Sequence, residues 1–213
     1  MFSTETITYL QGLQANNTKE WFEANKAHYV THIKDAAAQF CDDLAPRLAA
    51  RYDTKVTSKV FRIHRDLRFS KDKTPYNAHV HIGFTDAMTA ATWMFALHPD
   101  GLVIGFGVFV FEKSKLAQWR DAVAGSAGNE LTDVLDNACK TGLRLPEPEL
   151  KRVPAPYEDD HPNADLLRRK GLAIWQDGLP LDRAFGPDAG AAISDAMQVF
   201  DPVRNWMLNA LPR

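Results

Sequence analysis

The residues best equipped for chemistry lie between Phe61 and Tyr76, in the run FRIHRDLRFSKDKTPY. Arg62, Arg65, Arg68, Lys71 and Lys73 stand there against only two acids, Asp66 and Asp72. A guanidinium offers a planar fork of donors that matches phosphate or carboxylate, and an ammonium adds a point charge. The run therefore reads as an anion site whose simplest guest is a phosphorylated small molecule. Arg62 or Arg68 with Lys71, Lys73 and Tyr76 would form the clamp, and Arg65, Asp66, Ser70, Asp72 and His79 complete the candidate binding set. The alternative is a salt-bridge network in which these cations are cancelled by Asp66, Asp72 and acids of the helical half.

Three other chemistries are open to the same residues. His64 or His79 could act as a general base oriented by Asp66, making the site a hydrolase or group-transfer centre. No nucleophile elbow, P-loop or Gly-rich phosphate loop accompanies them, and no cofactor is expected. His79 and His81, or His28 and His32, have spacings that could chelate a metal, but two ligands do not make a site, and no metal is expected. Basic residues near Phe69, Tyr76 and Trp93 could also bind nucleic acid, and a protein partner is a further non-enzymatic reading.

The elements that must position these residues follow from periodicity. Residues 57–69 alternate as a strand, with Phe61, Ile63, Leu67 and Phe69 on the core face and Arg62, His64, Asp66, Arg68 and Ser70 on the other. On such a strand Arg62 and Arg68 lie about 20 Å apart, from roughly 3.3 Å per residue, too far to grip one phosphate. Arg65 breaks the pattern among apolar neighbours, so it requires a carboxylate or carbonyl partner inside the fold. The segment that follows, ending in Thr74-Pro75, is a loop.

Strands are also expected at 78–85, 92–98 and 102–110, with Pro99-Asp100-Gly101 as a hairpin turn. In the second, Val80, Ile82 and Phe84 share one face, and His79, His81 and Gly83 the other. Gly105 and Gly107 give clearance for a large group to approach. Ahead of the sheet come a helix over 3–15 and a longer one capped by Asn17 with Glu20, which Pro46 should kink or end. Behind it come helices from Ser114, over 130–139, 163–176 and 188–211, with a Pro-rich ordered loop at 141–162. The fold class is α+β: an antiparallel sheet of about four strands flanked by N-terminal and C-terminal helices, in a single domain over 1–213.

Composition bounds the rest. The chain has 213 residues, 45% hydrophobic and 24% charged, with a formal net charge of −2. That suits a globular core and argues against a generic nucleic-acid or membrane binder. Cys41 and Cys139 have no metal or redox spacing and read as buried free thiols. The N-terminus shows no secretion signal, and no apolar run is long enough to span a bilayer, so a cytoplasmic location and no membrane partner are expected.

Three blocks carry a family resemblance: NNTKEWFEANKAHY, FRIHRDLRFSKDKTPYNAH and LKRVPAPYEDDHPNADLLRRK. The chain resembles an uncharacterised family of bacterial and fungal proteins, a domain of unknown function. The resemblance implies one domain of this length and no activity. The matching positions are Lys19, Trp21 and Phe22, then Arg62, Arg65, Asp66, Arg68, Phe69, Ser70, Asp72, Lys73, Pro75, Tyr76 and His79, then Lys151, His161 and Pro162. Ala155-Pro156 stands where the family pattern has Lys-Gly. The late block adds Lys151, Arg152, His161, Arg168, Arg169 and Lys170 to the count of cations. Its loop is expected to fold over the central strand as the second wall of the pocket, with Lys151 and His161 as binding residues.

Overall fold

The computed structural model describes residues 1–68 and 70–211. Its framework is one five-stranded antiparallel sheet in the order β1-β2-β3-β4-β5, formed by β1 (Val56–Val60), β2 (Val80–Asp86), β3 (Thr92–Leu97), β4 (Leu102–Val108) and β5 (Leu172–Leu179). Each strand pairs with the one before it in sequence. The β3–β4 turn is the expected hairpin, with His98 N donating to Gly101 O at 2.9 Å.

Register explains which face is core. Ser58, Phe84, Trp93, Phe106 and Ile174 lie directly across from one another, and so do Val80 and Leu97, and Leu97 and Leu102. Partners opposed across antiparallel strands share a face. This face is apolar and buried from β2 to β5. Helices cover it: α1 (Thr4–Ala15), α4 (Ala36–Tyr52), α8 (Ala189–Ala196) and α9 (Asp201–Ala210). Phe40 of α4 meets Phe95 at 4.5 Å, and Phe200 meets Phe106 at 6.4 Å.

The other face carries smaller residues. Lys59, Gly83, Met94, Gly105 and Trp175 form one row, and Thr57, Thr85, Thr92, Gly107 and Ala173 the next. Phe61, His81, Ala96 and Val103 follow. A Cβ on Gly105 would lie 2.5 Å from Trp175 Cε3, so the expected clearance at this glycine is taken up by the Trp175 ring.

Several elements differ from expectation. Residues 163–176 are not one helix: α7 is Ala164–Leu167, and the chain then enters β5. Gly171 packs so closely on Phe109 that a Cβ there would meet its carbonyl oxygen at 2.1 Å. That close approach turns the chain into the edge of β4, where Leu172 and Ile174 join the covered face. The first long helix is divided into α2 (Lys19–Ala24), α3 (Lys26–Tyr29), a π turn at Val30–Asp35, and α4. Pro46 sits inside α4 without ending it. Thr18, not Asn17, caps α2, its side chain accepting from Trp21 N. Helices α5 (Lys113–Ala124) and α6 (Ser126–Lys140) complete the list. Both cysteines are free, but Cys139 is exposed.

One buried ion pair ties sheet to helices. Asp86, at the end of β2, accepts from Arg204 Nε of α9 at 2.9 Å, and both side chains are almost fully buried. Thr54, Met88 N and Thr89 also donate to this carboxylate, at 2.7, 2.9 and 3.0 Å. The Arg204 guanidinium lies 4.5 Å from the Tyr52 ring. Removing one partner of such a pair strands the other charge in a low-dielectric interior. Asp86→Ala is therefore expected to cost about 3–5 kcal/mol in urea unfolding. Adding Arg204→Met should recover part of that loss; a double variant no better than the single one would show that the pair does not act as a unit.

Candidate functional site

The basic run does not extend the sheet. Strand β1 ends at Val60, one more ladder bond follows from Phe61 N to His81 O at 2.9 Å, and the chain then folds back on itself. Asn77 N donates to Ile63 O at 2.7 Å and Arg65 N to Pro75 O at 2.9 Å. The Asn17 side chain grips this turn from outside, donating to Tyr76 O at 2.9 Å and accepting from Tyr76 N at 3.0 Å. Tyr76 is buried and stacks on Phe22 at 4.2 Å, so it is a core residue and not the arm of a surface clamp. Trp93 is also fully buried, which removes a second ring from the suggested nucleic-acid platform. The third ring, Phe69, lies outside the described residues.

The charges of the run are largely matched within it. Arg65 has the internal partners its position demanded: Asp72 at 2.5 Å, Thr74 O at 3.2 Å and Ser70 Oγ at 3.4 Å. Arg68 folds onto Asp66 at 2.7 Å. Lys73 Nζ donates to Leu67 O at 3.0 Å. Arg62 and Lys71 are exposed. With its carboxylate turned to Arg68, Asp66 is not placed to orient His64, whose ring packs on Tyr76 and Phe22 at 5.1 and 5.7 Å. The Thr74 amide, helped by the Arg65 guanidinium, holds the Asp72 carboxyl down to about 2.

The late loop takes a different wall from the expected one. Arg144 exchanges two backbone bonds with Trp175 of β5, at 2.8 and 3.0 Å, and its side chain makes a two-point pair with Asp177 at 2.6 and 2.9 Å. Strand β5 is the edge opposite β1, about 19 Å away from roughly 4.8 Å per strand spacing. Farther along, Tyr157 donates to Asp121 of α5, and His161 Nδ1 accepts from Asn163 N. Lys151 is exposed. The loop thus joins β5, α5 and α6, and Lys151 and His161 do not complete the basic run.

What the structure does gather lies on the open sheet face. His79, the last member of the predicted set, brings its ring 4.2 Å from His81 and 4.8 Å from His98. Among the described residues no three His, Cys, Asp or Glu side chains are placed to hold a metal ion. Beside these rings a cavity of about 520 Å³ opens between β5 and the late loop, lined by His81, His98, Arg144, Glu149, Arg169 and Trp175 among others. It shares His81, Ala96, Phe109 and Trp175 with a second cavity of about 250 Å³ reaching across to Lys59 and Phe61.

Arg169 is the unusual member. The residue is only 6% exposed, Nη1 donates to Pro146 O at 2.7 Å, and Nε has no partner among the described residues. Among the described residues it has no carboxylate at ion-pair distance. Burial lowers its pKa, and Glu149, Asp165 and Glu147 oppose that from farther away. Glu149 itself accepts from Lys170 N at 2.8 Å. Sequence reading counted Arg169 among the late cations but could not distinguish it from Arg168 and Lys170. Arg144, Asp177 and Trp175 carried no local signal.

Burial, followed by the neighbouring His81, His98 and Arg65, pushes the His79 imidazole down to about 4. An unfolded histidine takes its proton near 6.5. Between those values the unfolded chain binds the extra proton, so this residue's contribution is full above pH 6.5 and falls as pH drops toward 4. His79→Gln should flatten the decline in melting temperature between pH 6.5 and 4; an unchanged slope would remove His79 as its source. The Asp72–Arg65–Thr74 cluster predicts a second outcome. Asp72→Asn should speed tryptic cleavage at Lys71 and Lys73 in the native protein, with little change in the global melting temperature.

No curated protein and no solved structure matched this chain. No helix among the described residues is long and apolar enough to cross a membrane. A family model for a conserved hypothetical protein, DUF2461, matches residues 5–206. With nearly its whole length covered by that model, the chain belongs to the DUF2461 family of conserved hypothetical proteins.

Proposed function

We propose that this protein binds a small organic anion, carboxylate or phosphate, in the cavity beside β5, with Arg169 as its charged anchor. The supporting observation is a buried guanidinium that lines a cavity of about 520 Å³ without an ion-pair partner among the described residues. A charge in that position is poorly compensated, and an incoming anion relieves the deficit. His81 and His98 stand on the same wall with ring nitrogens available for hydrogen bonding. Arg144 contributes less charge because Asp177 already matches it. The basic run then serves mainly as a brace: its cations hold the loop that delivers Phe61 and His79 to the open face.

The test is thermal stabilisation by inorganic phosphate and by simple carboxylates. A ligand at a hundred times its Kd stabilises by about 2.7 kcal/mol, a shift of several degrees for a chain of this size. Arg169→Met should abolish the shift while leaving the unliganded protein folded, and Arg62→Ala with Lys71→Ala should leave it intact. The opposite pattern would return the anion to the basic run.

A further inference from the structure

We infer that the anion bound at Arg169 is amphipathic, with an apolar chain or ring lying along the open sheet face toward β1; this rests on the proposal above and specifies its ligand. The two cavities share Ala96, His81, Phe109 and Trp175, so they form a single trough. Its two ends differ in character. At β5 stand Arg169, Glu149 and the Arg144–Asp177 pair. Toward β1 the lining side chains become Phe61 and Met94, with Thr85 and Thr92 at the side and, among the described residues, no charged group but Lys59.

The floor of the trough is made of small residues. Ala96 lies where the two cavities meet, and Gly83 leaves room for the Phe61 ring, whose Cε2 is 3.5 Å from where its Cβ would be. Phe61 is 50% exposed and Phe109 58%, although both border a cavity. Aromatic surface on this scale, aligned along a groove that starts at a buried cation, fits a guest with a charged head and an apolar body. The three strand spacings from β5 to β2 give the body about 14 Å, at roughly 4.8 Å each.

The experiment measures affinity by calorimetry for straight-chain carboxylates from butanoate to decanoate, for alkyl phosphates of the same lengths, for inorganic phosphate, and for the matching neutral alkanols. Burying a methylene contributes about 0.8 kcal/mol, so affinity should rise about fourfold per added carbon until the trough is filled, and then level off. The carboxylate and phosphate arms identify the preferred head. Met94→Trp should flatten the series while the shortest anions still bind. Phe61→Ala, at a half-exposed site, should weaken only the longer members. A flat series that still depends on Arg169 would overturn the amphipathic ligand and leave the anion site standing. A rising series matched by the alkanols and unchanged in Arg169→Met would overturn the anion site and this inference together.

Discussion

A sheet with helices on one face only must solve two problems with one alternation. Along each strand the residues facing the helices have to be apolar and large, while those one step out of phase meet solvent or whatever lies there. Phe84, Trp93, Phe106 and Ile174 meet the first demand in a single row across four strands. The facing row, Gly83, Met94, Gly105 and Trp175, meets the second with two glycines alternating with its larger residues. A one-residue slip would exchange the two rows and bury the histidines. The trough is thus a consequence of the same register that builds the core.

Two further constraints keep that register. At one end of β2, Asp86 collects four donors, including Arg204 from the last helix, so the C-terminal helices cannot separate from the sheet without exposing a buried charge. At the other end the chain leaves β1 through the basic loop, which is closed by its own backbone bonds and by Asn17 on Tyr76. The loop's paired cations give order where a run of positive charge would otherwise repel itself. Their arrangement explains how a stretch that reads as a ligand clamp can instead position Phe61 and His79.

Charge is then distributed unevenly over the open face. Arg144 is answered by Asp177, and the basic loop largely by its own acids. Among the described residues Arg169 has only a carbonyl oxygen, Pro146 O, and more distant carboxylates. Three imidazoles lie together beside the trough, and burial holds His79 and His81 toward their neutral forms. Neutral imidazoles can donate and accept hydrogen bonds, and they avoid the repulsion that three adjacent like charges would bring.

The sequence by itself determined the α+β class, the positions of β2 to β4, the PDG hairpin and the two faces of β2, because period-two patterning and turn chemistry are local. It also determined that Arg65 needs an internal partner, since a guanidinium among apolar neighbours must be answered. Tertiary structure decided the rest. Residues 163–176 carry apolar residues at spacings that suit helix as well as strand, and only the open edge of β4 selected β5. The alternation of 61–69 resembled a strand, but Asn17 and Phe22, far back in the chain, hold Tyr76, and residues 61–68 turn out of the sheet. Arg169 is one of three consecutive cations in sequence; what sets it apart is burial beside a cavity without a paired acid among the described residues, a property of packing that no local pattern encodes.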